Sequence, residues 1–199
     1  MVKLVTATYL LLVAAVAIQR LIETRISRRH ERLLLARGAV EHAREQMPFM
    51  IALHGAWLLA CVVEVWLLAR PFQLVWAVPA LLVFGAGQAL RLAAMRTLGE
   101  RWTVKVITLF EEPAVERGIF RYVRHPNYLG VILEIAALPL VHGAWLTAAV
   151  FSLLNGALLY ARVRAEERAL EATGDYAARF RDRPRFVPHV RPSVHEGHV

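Results

Sequence analysis

Arg124-His125-Pro126-Asn127-Tyr128-Leu129-Gly130, with Tyr122-Val123 ahead of it, lies at a seam in this chain. Before it runs a basic, polar stretch from Arg96, and after it an apolar run from Tyr128 to Val141. A seam of this kind sets polar chemistry at the surface of a bilayer. Proline disfavours the α conformation in the residue before it, so His125 is expected to be extended. Proline is also pre-set for the first helical position, so a helix is predicted to start at Pro126 with His125 near its N-cap. Such a start leaves free backbone N–H groups and a positive dipole end facing the loop. That end suits a carboxylate-bearing small molecule. The same residues also read as an ordinary interfacial cap, and the segment alone does not choose between the two.

Outward from the seam, the chain alternates apolar runs with arginine-rich loops. Spans are read at roughly 2–18, 49–68 and 72–95, then 128–141 and 143–160. A spanning helix needs about 20 residues, so the fourth run is short and becomes a span only as one arm of a tight hairpin turning at His142-Gly143. The expectation is an all-α, integral-membrane bundle of five helices, with a loop and a C-terminal helix beside it. One domain over 1–199 follows: three N-terminal spans in 1–95, a core in 96–188, and a tail in 189–199 without regular structure. Ala15-Val16-Ala17 resembles a signal-peptidase site, but positive charge follows the first run rather than preceding it, so the run is read as a retained span.

Basic residues orient the bundle. Arg20, Arg25, Arg28, Arg29, Arg32, Arg37 and Arg44 follow span one, and Arg96, Arg101, Lys105, Arg117, Arg121 and Arg124 follow span three. Eight further arginines, from Arg162 to Arg191, follow span five, whereas the other side keeps only Lys3 and Arg70. The N-terminus is therefore expected outside, with the loops and tail in the cytoplasm. The same asymmetry explains 57% hydrophobic residues alongside a net charge of +8, and makes a nucleic-acid partner unnecessary. Cys61, the only cysteine, can form neither an intrachain disulfide nor a thiolate cluster, and no metal site is expected.

Ionisable and amide groups inside apolar spans are costly and usually face a protein interior or a watery cavity. His54, Glu64, Gln88, Arg91, Glu134 and Asn155 are of this kind. Each of them suits interhelical hydrogen bonding as well as it suits catalysis. Glu134 lies six residues after Tyr128, where it could line a cavity below the His125 cap, and it or a water is the candidate base. Arg162 and Glu166, four apart where span five ends, share one helix face. An arginine there can hold an acceptor's carboxylate or phenolate, although a simple exposed pair, contributing about 0.3–0.5 kcal/mol, has the same spacing. From Glu166 to Arg181 the apolar residues recur at helical spacing opposite a charged face, which predicts a helix on the membrane surface, weakened at Gly174.

Together these residues resemble a known family. Arg124-His125-Pro126-Asn127-Tyr128-Leu129-Gly130 is similar to the Arg-His-Pro-x-Tyr-x-Gly motif of the isoprenylcysteine carboxyl methyltransferase family. The lead-in Glu116-Arg117-Gly118-Ile119-Phe120-Arg121-Tyr122 fits that family's approach to the motif. Glu166-Glu167-Arg168-Ala169-Leu170, Gly174-Asp175-Tyr176 and Arg183-Pro184-Arg185-Phe186-Val187-Pro188 follow in the family's order. Sterol reductases and phospholipid methyltransferases share a version of the motif; motif, double glutamate and tail together are more specific.

The resemblance implies a membrane enzyme that uses S-adenosylmethionine without a Rossmann domain. It implies cofactor contacts at Lys105, Pro113, Ala114, Val115, Phe120, His125, Pro126, Asn127, Tyr128 and Glu166, with Arg162 facing the acceptor. Two departures bear on the loop contacts: Lys105 stands where eukaryotic members carry glutamine, and Glu112-Pro113 replaces a His-Thr step. The acceptor implied is a lipophilic small molecule reaching the site from the bilayer. The 22 arginines against two lysines suggest a GC-rich bacterium, hence a bacterial cytoplasmic membrane. Glu100-Arg101-Trp102-Thr103-Val104-Lys105 resembles bacterial members that O-methylate alkylpyrones or alkylresorcinols, which stand beside isoprenylcysteine-like molecules as acceptors. An NADPH-dependent membrane reductase and a non-enzymatic scaffold are the rivals; the double glutamate argues against the first and the intact His125, Tyr128, Arg162 and Glu166 against the second. No feature fixes an oligomeric state.

Overall fold

The computed structural model describes residues 2–110 and 112–187. Its elements are α1 (Val2–Ala36), β1 (Val40–His42), α2 (Met47–Leu67), α3 (Leu74–Leu98), β2 (Val106–Thr108), α4 (Pro126–Leu140), α5 (Trp145–Thr173) and α6 (Tyr176–Phe180). The all-α expectation holds apart from three antiparallel residue pairs between β1 and β2, from Val40 with Thr108 to His42 with Val106. Periodicity gave no sign of that pairing, because three-residue strands are too short to show alternation.

Four helices, α1, α2, α3 and α5, are long and apolar enough to cross a membrane. The fifth, α4, has 15 residues and at 1.5 Å per residue reaches about 22 Å, short of a hydrocarbon core of about 30 Å. It is one arm of the expected hairpin: Gly143, at φ +71°, makes the turn into α5. α4 lies closest against α3. A Cβ at Gly87 would sit 2.9 Å from the Gly130 carbonyl, and one at Gly130 would meet Gly87 O at 2.7 Å, so two glycines set this crossing.

The first span does not stop at Ile18. Between Gln19 and Ala36 there is neither glycine nor proline, and the helix runs on until Gly38, at φ +85°, ends it. Tyr9, Val13 and Val16 bury one stripe, which continues through Glu23, Ser27, Glu31 and Leu34. The polar half of that stripe is a scaffold for the loop before β2. His30 Nδ1 bonds the Trp102 carbonyl at 2.8 Å, the Val104 N–H donates to Ser27 Oγ at 2.8 Å, and Lys105 reaches Glu41 at 3.1 Å and Glu31 at 3.5 Å.

The helix expected to lie on the membrane surface over 166–181 is instead the end of α5, a break at Gly174, and α6. Ala169, Tyr176 and Phe180 are buried against the protein, which is why that face is apolar, and Glu167 is buried in its pairing with His125 and Arg185. The tail expected to lack regular structure, 189–199, lies outside the described residues.

Polar residues inside the spans pair among themselves. Arg91 binds Glu23 at 2.5 Å and Glu134 at 3.2 Å; Arg20 binds Glu23 at 3.2 Å and also holds Glu134. Gln19 and Gln88 exchange amide hydrogen bonds of 2.8 and 3.1 Å. The cluster is neutral and ties α1, α3 and α4; removing one charge from such a buried set costs about 3–5 kcal/mol. Glu64 has another use. It accepts the N–H groups of Leu146 (3.2 Å) and Thr147 (2.6 Å) at the start of α5 and pairs with Arg70 at 2.8 Å, an N-terminal cap supplied from α2.

Candidate active site

The loop ends of the helices converge on a cavity of about 500 Å³. Its polar end is formed by the start of α4, the loop 101–115 and the junction of α5 with α6. Its other end runs between α1 and α2 past the apolar Leu21 and Ile51, which are 64% and 67% exposed. The site therefore reaches from the loops to an apolar rim on the helices.

His125 caps α4, with Pro126 at its first position, as the sequence predicts. Its conformation is not fully extended (φ −126°, ψ 61°) because the chain turns directly into the helix. The buried ring donates from Nε2 to the Glu167 carboxylate at 3.1 Å, and Glu167 is held by Arg185 at 2.6 Å. The backbone N–H groups of Arg124 and His125 donate to the Pro184 and Arg185 carbonyls at 2.9 and 3.0 Å. Arg124 Nε adds a bond to the Arg183 carbonyl at 2.6 Å. The seam motif is thus latched to the C-terminal segment 60 residues on, and its histidine is held by the second glutamate of the pair.

The first glutamate does different work. Glu166 accepts a hydrogen bond from the Tyr128 hydroxyl, and the Tyr128 oxygen accepts one from Arg162 Nε at 3.2 Å. Arg162 also donates to the Val104 carbonyl and lies 3.9 Å from Met47 Sδ. It is 1% exposed, so the exposed-pair reading of Arg162 and Glu166 fails: the two are linked through Tyr128 inside the protein. A buried guanidinium shared with one glutamate leaves this wall able to hold a further anion.

Opposite, the loop before α4 is clamped to α6. Asp175 accepts the Ala114 N–H at 3.0 Å and pairs with Arg179; that backbone bond first, then Arg179, holds its carboxyl below the usual value. Glu116 pairs with Arg179 and Arg183, both at 2.5 Å, and is likewise held low by Arg179 and then Arg183.

Of the residues expected at the site, Lys105, Ala114, Val115, Phe120, His125, Pro126, Asn127, Tyr128, Arg162 and Glu166 line the cavity. Two do not. Pro113 points its carbonyl to Arg101 Nη1 at 2.8 Å, and Glu134 is consumed by the Arg20–Arg91 cluster with no surface on the cavity. Held between Arg20 and Arg91 and away from the cavity wall, Glu134 ties α4 to α1 and α3. Tyr176, Asp175, Trp102 and His54 also line the wall without having been singled out as site residues. Each carried a signal: Asp175, Tyr176 and Trp102 within stretches that resemble the family, and His54 as a polar group in a span.

Several wall residues keep polar atoms in want of a partner. Asn127 Oδ1, Tyr176 Oη and Trp102 Nε1 are buried and make no hydrogen bond among the described residues. With the free N–H groups at the start of α4, they suit a ligand carrying amine donors and a carboxylate.

Residues 79–172 match the model of the isoprenylcysteine carboxyl methyltransferase family. Two bacterial relatives extend the likeness over most of the chain. An uncharacterized protein of Bacillus subtilis, YpbQ, is 33% identical over 161 residues, covering 81% of this chain and 95% of its own.

The chain belongs to the isoprenylcysteine carboxyl methyltransferase family.

An uncharacterized protein of Haemophilus influenzae is also 33% identical, over 147 residues that cover 73% of this chain and 84% of its own. Family membership and four membrane-length helices make this chain an integral-membrane methyltransferase. The matched segment runs from α3 to the last turn of α5, which is where Tyr128, Arg162 and Glu166 meet.

Proposed function

We propose that this protein is an S-adenosylmethionine-dependent O-methyltransferase of the bacterial cytoplasmic membrane, acting on an acidic oxygen of a lipophilic acceptor. When bound, S-adenosylmethionine supplies an electrophilic methyl group on a sulfonium. The wall residues Ala114, Val115, Phe120, Asn127, Tyr128 and Glu166 would hold it, with the start of α4 receiving its carboxylate. The single observation that carries the reading is the Arg162–Tyr128–Glu166 chain on a cavity that runs from the loops to an apolar rim between α1 and α2.

Each residue then has a role that follows from its charge. Glu166 and the Tyr128 oxygen face a cationic group favourably. Arg162, with its remaining N–H groups, keeps an acceptor oxygen ionised and aimed; orientation of this kind contributes about 7–11 kcal/mol at the favourable limit. The apolar passage beside Leu21 and Ile51 admits an acyl or prenyl tail, while the loop and α6 frame the polar end that receives the methyl donor. Alkylpyrones and alkylresorcinols fit such an acceptor, and their acidic hydroxyls need little or modest help to ionise.

Calorimetric titration of the purified protein with S-adenosylhomocysteine and with NADPH tests the cofactor. Saturable binding of the first and none of the second is expected; the reverse would make the protein a reductase relative. Assay with labelled S-adenosylmethionine against an alkylresorcinol, an alkylpyrone and a farnesylcysteine analogue tests the acceptor. Methylation of the farnesylcysteine analogue alone would remove the lipid-polyketide reading and leave the methyltransferase in place.

A further inference from the structure

One polar atom on the cavity wall has no role so far. His54 lies in the middle of α2, with Nδ1 2.8 Å from the Met50 carbonyl. A carbonyl only accepts, so Nδ1 carries hydrogen, and in the neutral ring Nε2 is left as an acceptor. Nε2 has no partner among the described residues, and it is not among the buried atoms sealed from space; the ring is part of the cavity wall. The bond to Met50 and an edge contact with the Trp57 indole, 6.4 Å between centroids at 84°, fix the ring's direction.

The charged groups that act on His54 are Arg20 and Glu23 from α1 and Arg91 from α3. These already pair with one another and with Glu134, so the surroundings carry no free anion for a cationic ligand. Position adds a ruler. Met47 touches Arg162, and His54 follows Met47 by seven residues, which is two turns on the same face and about 10 Å along the axis. Arg162 and His54 line one cavity, so an acceptor whose first oxygen is held at Arg162 can lay its ring along α2 toward His54.

We propose that His54 is a specificity residue: its Nε2 accepts a hydrogen bond from a second hydroxyl of the acceptor, distinct from the oxygen held at Arg162 that receives the methyl group. The assignment rests on the methyltransferase reading and narrows it. A carboxylate has no hydrogen to give Nε2, and an ammonium group would face two arginines; a neutral hydroxyl satisfies the imidazole. The acceptor class is therefore a lipid with a ring head bearing two or more hydroxyls, rather than a prenylated carboxylate.

The test uses the full chain in detergent with labelled S-adenosylmethionine and two lipids of equal tail, a 5-alkylresorcinol and a 3-alkylphenol. The wild type is expected to favour the resorcinol in kcat/KM by roughly 10–100-fold, the loss expected when a buried acceptor is left unpaired. His54→Leu should narrow that ratio to within about 3-fold with S-adenosylhomocysteine affinity unchanged, and His54→Gln, whose amide oxygen still accepts, should keep most of it. Where the leucine variant fails to bind S-adenosylhomocysteine, His54→Phe, a ring without an acceptor, is read in its place. A preference that persists in an acceptor-less variant with intact cofactor binding overturns the role of His54 alone. A wild type that binds S-adenosylhomocysteine yet shows no preference, or methylates neither lipid, overturns the hydroxyl subsite; failure to bind it at all overturns the methyltransferase reading beneath.

Discussion

Tyr128 joins two residues that would otherwise act separately. Its hydroxyl donates a hydrogen bond to Glu166 and accepts one from Arg162 Nε, so the phenol fixes the spacing between a cation-facing and an anion-facing group. Tyr128→Phe removes that oxygen without emptying the space. It should weaken S-adenosylhomocysteine binding about 10-fold, the worth of a charge-assisted hydrogen bond of about 1.5–3 kcal/mol at its lower end, with a thermal midpoint close to wild type; an unchanged affinity would dismiss the carried-over pocket. Arg162→Lys should bind cofactor nearly as well but turn over about 100-fold more slowly, because an ammonium keeps the charge and loses the fork that holds acceptor, Tyr128 and the Val104 carbonyl together. Turnover of the lysine variant equal to wild type would place the acceptor elsewhere. Most of these residues were legible in the sequence, since the motif and the double glutamate fix their identities. Their division of labour was not: that Glu166 serves Tyr128 while Glu167 serves His125 depends on which face of α5 each occupies after packing.

Two elements are held by devices that can be loosened one at a time. α3 and α4 cross at Gly87 and Gly130, and a methyl at Gly130 would run into the Arg91 side chain and the Gly87 carbonyl. Gly130→Ala should therefore cost about 1–3 kcal/mol of overpacking. Gly156→Ala, on α5 with nothing within 4 Å of the new methyl, should be neutral or slightly stabilising; equal thermal midpoints for the two variants would refute the close crossing. The clamp between loop and α6 responds to acid. Asp175 and Glu116 both have folded pKa values below their ordinary 3.8 and 4.5. Their contribution is present in full above those ordinary values and lost as pH falls through the lower, folded ones. The difference in thermal midpoint between wild type and Asp175→Asn should then be constant from about pH 8 to 5 and close below about pH 4; a difference that grew on acidification would contradict the depressed carboxyls. The starts and stops of these elements were readable wherever proline or glycine sets them, as at Pro126 and Gly143. The end of α1 was not, because hydropathy marks where a helix leaves lipid, at Ile18, and says nothing about where it unwinds.

At the scale of the whole molecule the two ends of the bundle differ in charge. Arg162 is buried and Arg20, half-buried, is spent on Glu23 and Glu134, so neither counts among the loop charges where the sequence placed them. Eighteen other described lysines and arginines still gather at the end that carries the cavity, from Arg25 to Arg185, against Lys3 and Arg70 at the other. Basic residues near short connections stay on the cytoplasmic side, so the cavity should open there, with the 68–73 and 141–144 turns outside. The arrangement is also what the chemistry needs, because a charged, water-soluble methyl donor must reach the polar end while the acceptor's tail remains in lipid. In a Cys61→Ala background, a cysteine at exposed position 117 should resist a membrane-impermeant maleimide in intact cells and react after lysis. A cysteine at position 73, in the opposite turn, should react in both. Cys61 itself is buried in α2 and its loss removes no hydrogen bond shared with the site, so the background should remain folded. Labelling of position 117 from outside, with position 73 protected, would invert the bundle and leave the cavity facing a compartment without the proposed methyl donor.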